Sequence, residues 1–449
     1  MSGKGFGLYF EMGCGKSLTA IAIMGALFER KEIRRVLVFA PGSVVSVWSK
    51  ELDTFAAFPY RFAALLDKDK KKRLRALDGL TAQQQGNLLV AGINYESSFR
   101  DGIFEALMKF APDLVICDES QRIKNHKAQQ TMAVTDIAKK SKYRLALSGT
   151  PITQDVQDLF GQYKFLDPSV FGDNFYAYRS RYCRLGGFGN KQVVGSKNED
   201  ELSQRMYSIA YRVTKNEALD LPSETFMVRT VELDARERKA YDEMRINAYT
   251  ELSEEDKVEA TTVLTKILRL QQIAGGFIRA DGEEKVTQIG SSKLDALEDI
   301  LEDYVLGEDR KLVVFARFIP EIDGICRLLE RRNICYRRIT GDVPLEERGQ
   351  RVKDFQEDPD VKCFVAQIQT AGLGITLHAS SAAVFYSVGY NLADYQQALA
   401  RIHRKGQKQP CTYILLQGEN TVDQKIMQAL EKKSDVAKKI CDEWQDYFT

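Results

Sequence analysis

The chain has 449 residues, and its 64 Lys and Arg side chains against 63 Asp and Glu side chains give a formal net charge of +1. Hydrophobic residues make up 44% and charged residues 28%, a composition that excludes intrinsic disorder and a fibrous repeat. Charge near zero argues against a surface that coats nucleic acid over its whole area, but it is compatible with a local basic groove.

In the first two-fifths of the chain, short apolar runs alternate with helical patterns. Runs of this kind predict strands that are buried on both faces of a parallel sheet. The predicted strands are residues 36–40, 88–93, 113–117 and 144–148, and the predicted helices are residues 17–29 and 128–140.

The pattern changes at about residue 155. From there to residue 289 the sequence is aromatic, charged and mostly helical in pattern, with few strand-like runs. The alternation of strand and helix then resumes, and residues 421–444 have the pattern of a charged amphipathic helix. The strands predicted in this second half are residues 311–315, 335–340, 362–367, 382–387 and 412–416.

This order predicts an α/β domain, a helical middle and a second α/β domain. No apolar run approaches the ~18–20 residues that span a bilayer, so we expect no membrane partner. The eight cysteines include no CxxC spacing, which predicts free thiols in a reducing cytosol.

A glycine-rich segment near the start of the chain predicts a phosphate-binding loop. Residues 10–17 read FEMGCGKS, against the pattern GxxxxGK[ST], with Phe10 where the first glycine belongs. Lys16 would hold the β- and γ-phosphates of ATP, and the Ser17 hydroxyl would ligate Mg²⁺. By itself this imperfect match is also compatible with an ordinary glycine turn. The predicted nucleotide-binding residues in this segment are Gly13, Cys14, Gly15, Lys16, Ser17 and Leu18.

Two further motifs support a nucleotide site. Apolar residues 114–117 lead into Asp118 and Glu119, which predicts carboxylates at the C-terminal end of a buried strand, where open α/β sheets place ligands. Asp118 would hold Mg²⁺, and Glu119 would orient and deprotonate the attacking water. Residues 147–151, LSGTP, predict another strand that ends in a hydroxyl-rich turn.

With these motifs in this order, the chain resembles the Swi/Snf-type, superfamily-two helicase-like ATPases. The first half carries EMGCGKS, VLVFAPGSVVSVWSKEL, INYE, DESQRIKN and LSGTP, and the second half carries KLVVFARF, TAGLGITLHAS and QALARIHRKGQ. The resemblance extends from Gly7 to about Thr421. It implies an α/β fold of two tandem RecA-like P-loop domains with helical protrusions between them and a C-terminal helix.

The resemblance also implies domain bounds. Lobe 1 would span residues 1–160, the protrusions and linker residues 161–290, lobe 2 residues 291–420, and the C-terminal helix residues 421–449.

Further catalytic roles follow from the resemblance. Gln121, where many relatives carry histidine, would link the site to the turn at residues 148–150. Arg401 and Arg404 would act as arginine fingers, a role that can contribute ~10³–10⁵ in rate. Gly374 and Gln407 would join the same nucleotide site. Judged by charge alone, residues 397–407 are also compatible with a solvated basic helix.

The remaining motifs imply contacts with nucleic acid. They lie at predicted strand ends, where backbone amides and hydroxyls can contact phosphates without reading sequence. Each is equally compatible with an ordinary loop. The predicted DNA-binding residues are Pro41, Gly42, Ser43, Asn94, Tyr95, Arg317, Thr370 and Thr376.

The function that the resemblance implies is an ATP-dependent translocase on double-stranded DNA, with ATP and Mg²⁺ as cofactors. We expect a monomer with an unidentified recruiting protein. The alternatives are a strand-separating helicase subunit of a restriction, defence or repair system, a catalytically silent DNA-binding scaffold, and a motor acting on RNA.

Two departures from the family pattern lead to further expectations. Relatives carry an adenine-reading segment before the phosphate loop, and no counterpart precedes residue 10 in this sequence. Either the sequence is truncated or adenine is held differently, and for the sequence as given we expect weak base selectivity and weakened nucleotide affinity. Because no motif is visible beyond the two lobes and protrusions, we expect a minimal bacterial or phage protein in the cytoplasm, or a nuclear one if the source is eukaryotic.

Overall fold

The computed structural model describes residues 5–82, 86–186, 192–254, 260–279, 286–373 and 375–442. The chain divides into two compact units. Unit 1 comprises Met1–Asp220 together with Lys433–Thr449, and unit 2 comprises Leu221–Lys432. Each unit contains its own parallel sheet.

Unit 1 is built on a seven-stranded sheet in which every pairing is parallel. The strand order is β3-β4-β2-β5-β6-β1-β9, and β7 pairs with β8 in a separate antiparallel hairpin. The strands are β1 (Gly5–Phe10), β2 (Arg35–Ala40), β3 (Tyr60–Ala64), β4 (Leu88–Asn94), β5 (Leu114–Asp118), β6 (Tyr143–Leu147), β7 (Cys183–Gly186), β8 (Gln192–Ser196) and β9 (Ala210–Val213).

Helices cover this sheet on both faces. Along β2, Leu37 and Phe39 enter one apolar cluster, whereas Val36 and Val38 enter another. This alternation explains why the strand is almost wholly apolar. The helices of unit 1 are α1 (Lys16–Glu29), α2 (Gly42–Phe55), α3 (Lys70–Ala82), α4 (Ile103–Phe110), α5 (Gln129–Lys139), α6 (Asp158–Leu166), α7 (Phe175–Tyr182), α8 (Glu199–Tyr207) and α9 (Lys215–Ala218).

Unit 2 contains a six-stranded sheet, also parallel in every pairing, with the order β10-β17-β16-β13-β15-β14. A two-stranded antiparallel sheet joins β11 and β12. The strands are β10 (Glu224–Val231), β11 (Phe277–Arg279), β12 (Val286–Gln288), β13 (Leu312–Ala316), β14 (Tyr336–Ile339), β15 (Cys363–Gln367), β16 (Ala382–Phe385) and β17 (Cys411–Gly418).

Helical residues of unit 2 share an apolar core with this sheet. In the helix that follows β13, buried Ile322, Ile325 and Leu329 recur at the spacing of one helical face and join the core cluster of the unit. The helices are α10 (Ala235–Glu254), α11 (Ala260–Ala274), α12 (Ser292–Leu301), α13 (Ile319–Arg331), α14 (Leu345–Glu357) and α15 (Leu392–Leu399). Helix α16 (Val422–Asp442) begins in unit 2, and its residues from Lys433 onward belong to unit 1. Within the described ranges, no helix is long and apolar enough to cross a membrane.

The predicted fold class, two tandem α/β domains with parallel sheets, is confirmed. Every strand predicted in the two α/β regions is present, with ends that differ by one or two residues. The expectation of few strands between residues 155 and 289 is wrong. The described residues of that segment contain six strands, two of which, β9 and β10, are edge strands of the main sheets.

The reason lies in the edge position of these strands. An edge strand needs only one apolar face, and in β10 seven of eight residues are exposed or half-buried, so no continuous apolar run marks it. The domain bounds at residues 160, 290 and 420 stay predictions. The division between the two units falls between Asp220 and Leu221.

The parallel sheets place all their strand C-termini at one edge. In unit 1 this edge collects the residues that follow β1, β2, β4, β5 and β6, because Ala40 pairs with Asn94 and Asp118 pairs with Leu147. Ligands of open parallel sheets bind at such edges. The three predicted nucleotide motifs of unit 1 therefore meet in space.

Candidate active site

The glycine loop between β1 and α1 has the backbone of an anion-binding turn. Gly13 and Gly15 have φ angles of +89° and +83°, a left-handed region that is strained for residues with a Cβ. Gly15 is the N-cap of α1, and no side chain caps the helix there. The first amides of α1 are therefore left for a ligand at the positive end of the helix dipole.

Lys16 lies at the centre of the predicted motifs. Its Nζ donates to the carbonyl oxygens of Phe10 at 2.9 Å and Glu11 at 3.3 Å. A Cβ added at Gly149 would lie 3.6 Å from the same Nζ. Burial lowers the pKa of this ammonium, whereas the nearby carboxylates of Glu119 and Asp118 raise it. The loop, the acidic pair and the turn after β6 thus meet around one cation.

Asp118 is a buried carboxylate in a fixed orientation. Its Oδ2 accepts from Trp48 Nε1 at 2.9 Å, and its Oδ1 accepts from the Glu119 backbone amide at 3.0 Å. Burial raises its pKa to about 6, and the charge of Glu119 acts in the same direction. These bonds keep both oxygens in place at the end of β5, beside Lys16.

Glu119 is the first member of a hydrogen-bonded chain. Gln121 Nε2 donates to Glu119 Oε2 at 2.7 Å, and Gln121 Oε1 accepts from Ser148 Oγ at 2.8 Å. Ser148 Oγ also accepts from the Thr150 amide at 3.0 Å. The sequence-based link from Gln121 to the turn at residues 148–150 is therefore present as direct hydrogen bonds.

The Gln162 side chain also links the turn after β5 to the turn after β6. Gln162 on α6 is fully buried, and its Oε1 accepts from Ser120 Oγ at 2.7 Å. Its Nε2 donates to the Pro151 carbonyl at 2.7 Å. Because Ser120 follows Glu119 and Pro151 follows Thr150, Gln162 fixes the spacing between the acidic turn and the hydroxyl turn.

The residues present fit a nucleotide with magnesium. Mg²⁺ prefers oxygen ligands, and the half-buried Ser17 hydroxyl in the loop and the Asp118 carboxylate at the end of β5 would offer them. Thr150 Oγ1 is buried and has no hydrogen-bond partner within the described ranges. A buried polar atom of this kind beside the loop is suited to a ligand oxygen.

The predicted DNA-binding residues of unit 1 lie at the same sheet edge, but they are not equally accessible. Pro41 is the N-cap of α2, and Gly42 and Ser43 form its first turn. Gly42 lies beside Asn94, because a Cβ added at Gly42 would be 3.9 Å from the Asn94 Cβ.

Tyr95 differs from these neighbours. Its side chain is fully buried and stacks on Phe39, and its hydroxyl donates to the Asp118 carbonyl at 2.8 Å. This hydroxyl is therefore engaged inside unit 1, where it supports β5, and the predicted contact of Tyr95 with DNA stays a prediction.

In unit 2, the two predicted arginine fingers converge on one backbone oxygen. Arg401 Nη1 and Arg404 Nη1 donate to the Ile375 carbonyl at 3.4 Å and 3.2 Å. In addition, the Leu377 amide donates to the Arg401 carbonyl at 2.9 Å. The segments around residues 375 and 401 are thus held together, as two motifs of one site would be.

Gln407 is occupied by structural bonds. Its Nε2 donates to the Ser380 carbonyl at 2.8 Å, and its Oε1 accepts from the Lys408 and Gln409 amides at 2.9 Å and 3.0 Å. The side chain is buried and orders the loop after Arg404. Its predicted direct nucleotide contact stays a prediction, and the predicted site residue Gly374 lies outside the described residues.

The predicted DNA-binding residues of unit 2 follow β13 and β15, which are neighbouring strands. Half-buried Arg317 donates to Gln271 Oε1, and burial lowers its pKa. Thr370 is buried and donates to the Gln367 carbonyl at 2.6 Å, so its hydroxyl is already used in the loop. Thr376 is half-buried beside Ile375.

The sequence assigned no role in the site to four residues that contact its loop or turns. They are Glu11, Trp48, Gln162 and Arg212. Trp48 and Glu11 lie within motifs that carry the family resemblance, but no local pattern assigns a role to their side chains. Gln162 and Arg212 lie outside those motifs. Only the three-dimensional structure brings them to the loop and the turns.

Comparisons with known proteins find SNF2-related and helicase families and their members. The family described as SNF2-related domain matches residues 3–275, and the family described as helicase conserved C-terminal domain matches residues 292–406. An uncharacterized ATP-dependent helicase of Mycoplasma genitalium, MG018, is 26% identical over 98% of this chain and 40% of its own length.

A Caenorhabditis elegans homologue of the SWI/SNF-related matrix-associated actin-dependent regulator of chromatin subfamily A-like protein 1 is 29% identical. That match covers 95% of this chain and 58% of the relative. The chain therefore spans about two-fifths to three-fifths of the length of these relatives. Among solved structures, a Sulfolobus solfataricus SWI2/SNF2 ATPase core in complex with dsDNA matches at 25% identity and a TM-score of 0.43, over 99% of this chain and 90% of that one.

Proposed function

Because the chain belongs to the SNF2-related domain family, whose match covers more than half of its length, we propose that it is a DNA-dependent ATPase that translocates along duplex DNA. The observation that supports this proposal most strongly is the arrangement around Lys16. The Glu119 carboxylate is joined through Gln121 to the turn at residues 148–150 by hydrogen bonds. The Lys16 ammonium lies close enough to the Glu119 and Asp118 carboxylates for their charges to raise its pKa.

We propose the following roles for the residues of unit 1. The amides at the start of α1 and the Lys16 ammonium hold the phosphates of ATP, and Ser17 and Asp118 hold Mg²⁺. When bound, the ion neutralises charge that develops on the transferred phosphoryl group. Glu119, oriented by Gln121, accepts a proton from the attacking water.

The roles of Arg401 and Arg404 as arginine fingers are likewise proposed. Both guanidinium groups donate to the carbonyl oxygen of Ile375 and are thereby held as a pair. A guanidinium is always charged and presents donors in a fixed fork, which suits stabilisation of a phosphoryl transition state.

Duplex DNA is the proposed track. The first turn of α2, with Gly42 and Ser43, and the neighbouring Asn94 lie at one sheet edge and offer amides and polar groups suited to phosphates. Such contacts read no bases, so the protein would act on DNA of any sequence. Tyr95 and Thr370 have their hydroxyls engaged inside the protein and are left out of the proposed contact surface.

The test of the proposed activity is ATP hydrolysis measured without nucleic acid and with duplex DNA, single-stranded DNA or RNA. We expect the strongest stimulation by duplex DNA, and displacement of a triplex-forming strand without unwinding of a forked duplex. Stimulation by RNA alone would show that RNA is the track, and robust unwinding of the forked duplex would show that the protein is a helicase. If no nucleic acid stimulated hydrolysis, the proposal would be rejected.

The variant Glu119→Gln tests the assigned base. It should bind ATP and DNA as the wild type does but hydrolyse ATP about 100-fold or more slowly, because the amide cannot accept the proton. Glu29→Gln, at the exposed end of α1, is the matched control and should keep the wild-type rate. Wild-type hydrolysis by Glu119→Gln would show that another group is the base.

A further inference from the structure

Arg212 is a buried cation that reaches the nucleotide loop from the edge of the unit 1 sheet. It lies on β9, and its side chain is only 7% exposed. Its Nη1 donates to the Tyr9 carbonyl at 3.1 Å and to the Gly149 carbonyl at 2.9 Å. Its Nη2 donates to Glu11 Oε1 at 3.1 Å. One guanidinium therefore joins the end of β1, the first residue of the loop and the turn after β6.

Glu11 carries the connection onward. Its second oxygen, Oε2, accepts from the Lys215 backbone amide at 2.8 Å, at the first residue of α9. α9 ends at Ala218, and the chain passes from unit 1 to unit 2 at Asp220 and Leu221. The Glu11 carboxylate is therefore bound both by β9 and by the segment that leads into unit 2.

The hydrogen bonds of Arg212 make a link between the loop and the turn at residues 148–150 that the strand pairing does not make. The backbone ladder between β1 and β9, from Gly7 with Ala210 to Phe10 with Val213, already holds β9 in the sheet. The ladder does not reach Gly149, which follows β6 on the opposite side of β1. What the guanidinium adds is a direct link from the loop to the turn at residues 148–150.

The chemistry of the link makes it sensitive to substitution. A buried guanidinium with a carboxylate and two carbonyl partners leaves several polar groups unpaired when it is removed. The charge of Arg212 is also close enough to affect Lys16: burial lowers the pKa of that ammonium, and the positive charge of Arg212 adds to the lowering.

We propose that Arg212 and Glu11 are positioning residues that hold the phosphate loop and the turn at residues 148–150 in one arrangement and tie both to the segment leading into unit 2. This inference rests on the proposed ATPase function. The two residues touch neither the phosphates nor the water in the proposed mechanism, and they act through Lys16, Gly149 and the chain Ser148–Gln121–Glu119.

The two residues have separable effects in this proposal. Without the Glu11 carboxylate, the loop loses its tie to β9, but Arg212 still donates to the Gly149 carbonyl. Without the Arg212 guanidinium, both the loop and the turn lose their shared anchor. Loss of loop order weakens nucleotide binding, whereas displacement of the turn moves Gln121 and Glu119 and lowers the rate of the chemical step.

The experiment uses the full chain with the substitutions Glu11→Gln, Arg212→Gln and Arg212→Lys. Arg181→Gln, which removes the Arg181–Glu201 pair at 2.7 Å elsewhere in unit 1, is the matched control. For each variant, thermal unfolding reports folding, a fluorescent ATP analogue reports the nucleotide Kd, and duplex-stimulated hydrolysis reports kcat.

Glu11→Gln should raise the Kd about tenfold and keep kcat within about threefold of wild type. Arg212→Gln should raise the Kd and lower kcat, each about tenfold or more, because misplacement of a catalytic group by about 1 Å costs up to ~10² in rate. Arg212→Lys should recover part of the nucleotide affinity, since the ammonium can still pair with Glu11, but little of kcat.

Wild-type Kd and kcat in a folded Arg212→Gln protein would overturn the inference. It would also be overturned if Arg181→Gln caused equal losses, since the effects would then reflect general destabilisation. If the wild type did not hydrolyse ATP under any condition, the proposed function would fail, and the nucleotide Kd values of the variants would still decide the inference.

Discussion

Asp118 and Glu119 are adjacent carboxylates with different surroundings. Asp118 is buried, and both of its oxygens accept hydrogen bonds, from Trp48 and from the Glu119 amide. Glu119 has a left-handed backbone, with φ of +53°, which turns its side chain away from the strand direction and toward Gln121. One fixed carboxylate and one oriented carboxylate at a strand end suit a metal ligand and a base, respectively.

Glu321 in unit 2 is a buried carboxyl that the proposed mechanism does not use. It lies on α13, is fully buried, and accepts from the Phe318 amide at 3.1 Å and from the Ser387 hydroxyl. Burial raises its pKa from 4.5 to about 7. The charge of Lys293 lowers this pKa, whereas that of Asp423 raises it, and the nearby Arg317 also favours the charged form.

This pKa predicts a specific dependence of stability on pH. Between pH 4.5 and about 7 the unfolded chain releases the Glu321 proton while the folded chain retains it, so this group makes folding less favourable as the pH rises. Glu321→Gln cannot titrate. Relative to wild type, its free energy of unfolding should therefore increase by about 2 kcal/mol or more from pH 5 to pH 8.

Urea denaturation at the two pH values measures this change. Glu330→Gln, at an exposed position of the same helix, is the control and should show a much smaller relative change because solvent hydrates its carboxylate. An equal offset between Glu321→Gln and wild type at both pH values would mean that Glu321 is ionised throughout this range in the folded protein.

Helix α6 fixes the position of the turn that follows Asp118 and Glu119. Ser120–Ile123 form a short 3₁₀ turn directly after Glu119, and α6 packs against it at Gly161. A Cβ added at Gly161 would lie 2.2 Å from the Ile123 carbonyl oxygen and 2.6 Å from that of Lys124. This approach of helix to backbone is possible only for glycine, and it brings Gln162 within reach of Ser120.

Gly161→Ala should therefore separate α6 from the turn. We expect a loss of about 1–3 kcal/mol in the free energy of unfolding, as for other overpacked sites, and a lower kcat because Glu119 shifts with the turn. Gly79→Ala in α3 is the matched control. Its Cβ would meet no atom within 4 Å, so helix propensity alone should stabilise by about 0.4–1 kcal/mol.

Urea denaturation and duplex-stimulated hydrolysis measure both variants. If Gly161→Ala were as stable and as active as Gly79→Ala, the close packing of α6 on the turn would not be a determinant of the site.

The net charge of these 449 residues bears on how they would bind DNA. With a formal net charge of +1, the protein has no excess of cations to hold DNA by overall attraction. Binding would depend on a limited number of phosphate contacts at the strand ends and helix starts of the units. This arrangement suits a motor that must release and rebind its track at each cycle.

Phosphate contacts made by side-chain cations predict a loss of DNA affinity with salt, whereas contacts made by amides and hydroxyls add little to that loss. For a side-chain cation that neutralises a phosphate, the logarithm of the binding constant should fall with the logarithm of salt concentration by about 0.9 per phosphate on duplex DNA. Anisotropy titrations with a labelled duplex across a salt series measure the slope. The nucleotide Kd, measured without DNA at the same salt concentrations, is the control for effects of salt on the protein itself. A slope near zero would exclude charge-neutralising phosphate contacts as the source of binding.

The sequence predicts those site residues that lie close together in one motif. From local pattern alone, it does not predict hydrogen bonds between residues that are far apart along the chain. Lys16 and Ser17 lie in one short motif with the loop glycines, and Asp118 and Glu119 directly follow an apolar strand, so local pattern alone identifies them. The Gln121–Ser148 bond was anticipated because both residues lie in motifs of the family. Trp48 and Asp118 are 70 residues apart, and Arg212 and Tyr9 are 203 residues apart.

The amino-acid sequence by itself determined the α/β class, many of the buried parallel strands of both units and the nucleotide motifs, because buried strands and phosphate loops are encoded in short stretches of chain. Only the tertiary structure decided which distant side chains support those motifs. The order β5-β6-β1-β9 brings Arg212 beside Glu11 and Gly149, and the packing of α6 brings Gln162 beneath two turns. Strand order and helix packing arise from contacts summed over the whole core, which no local stretch encodes.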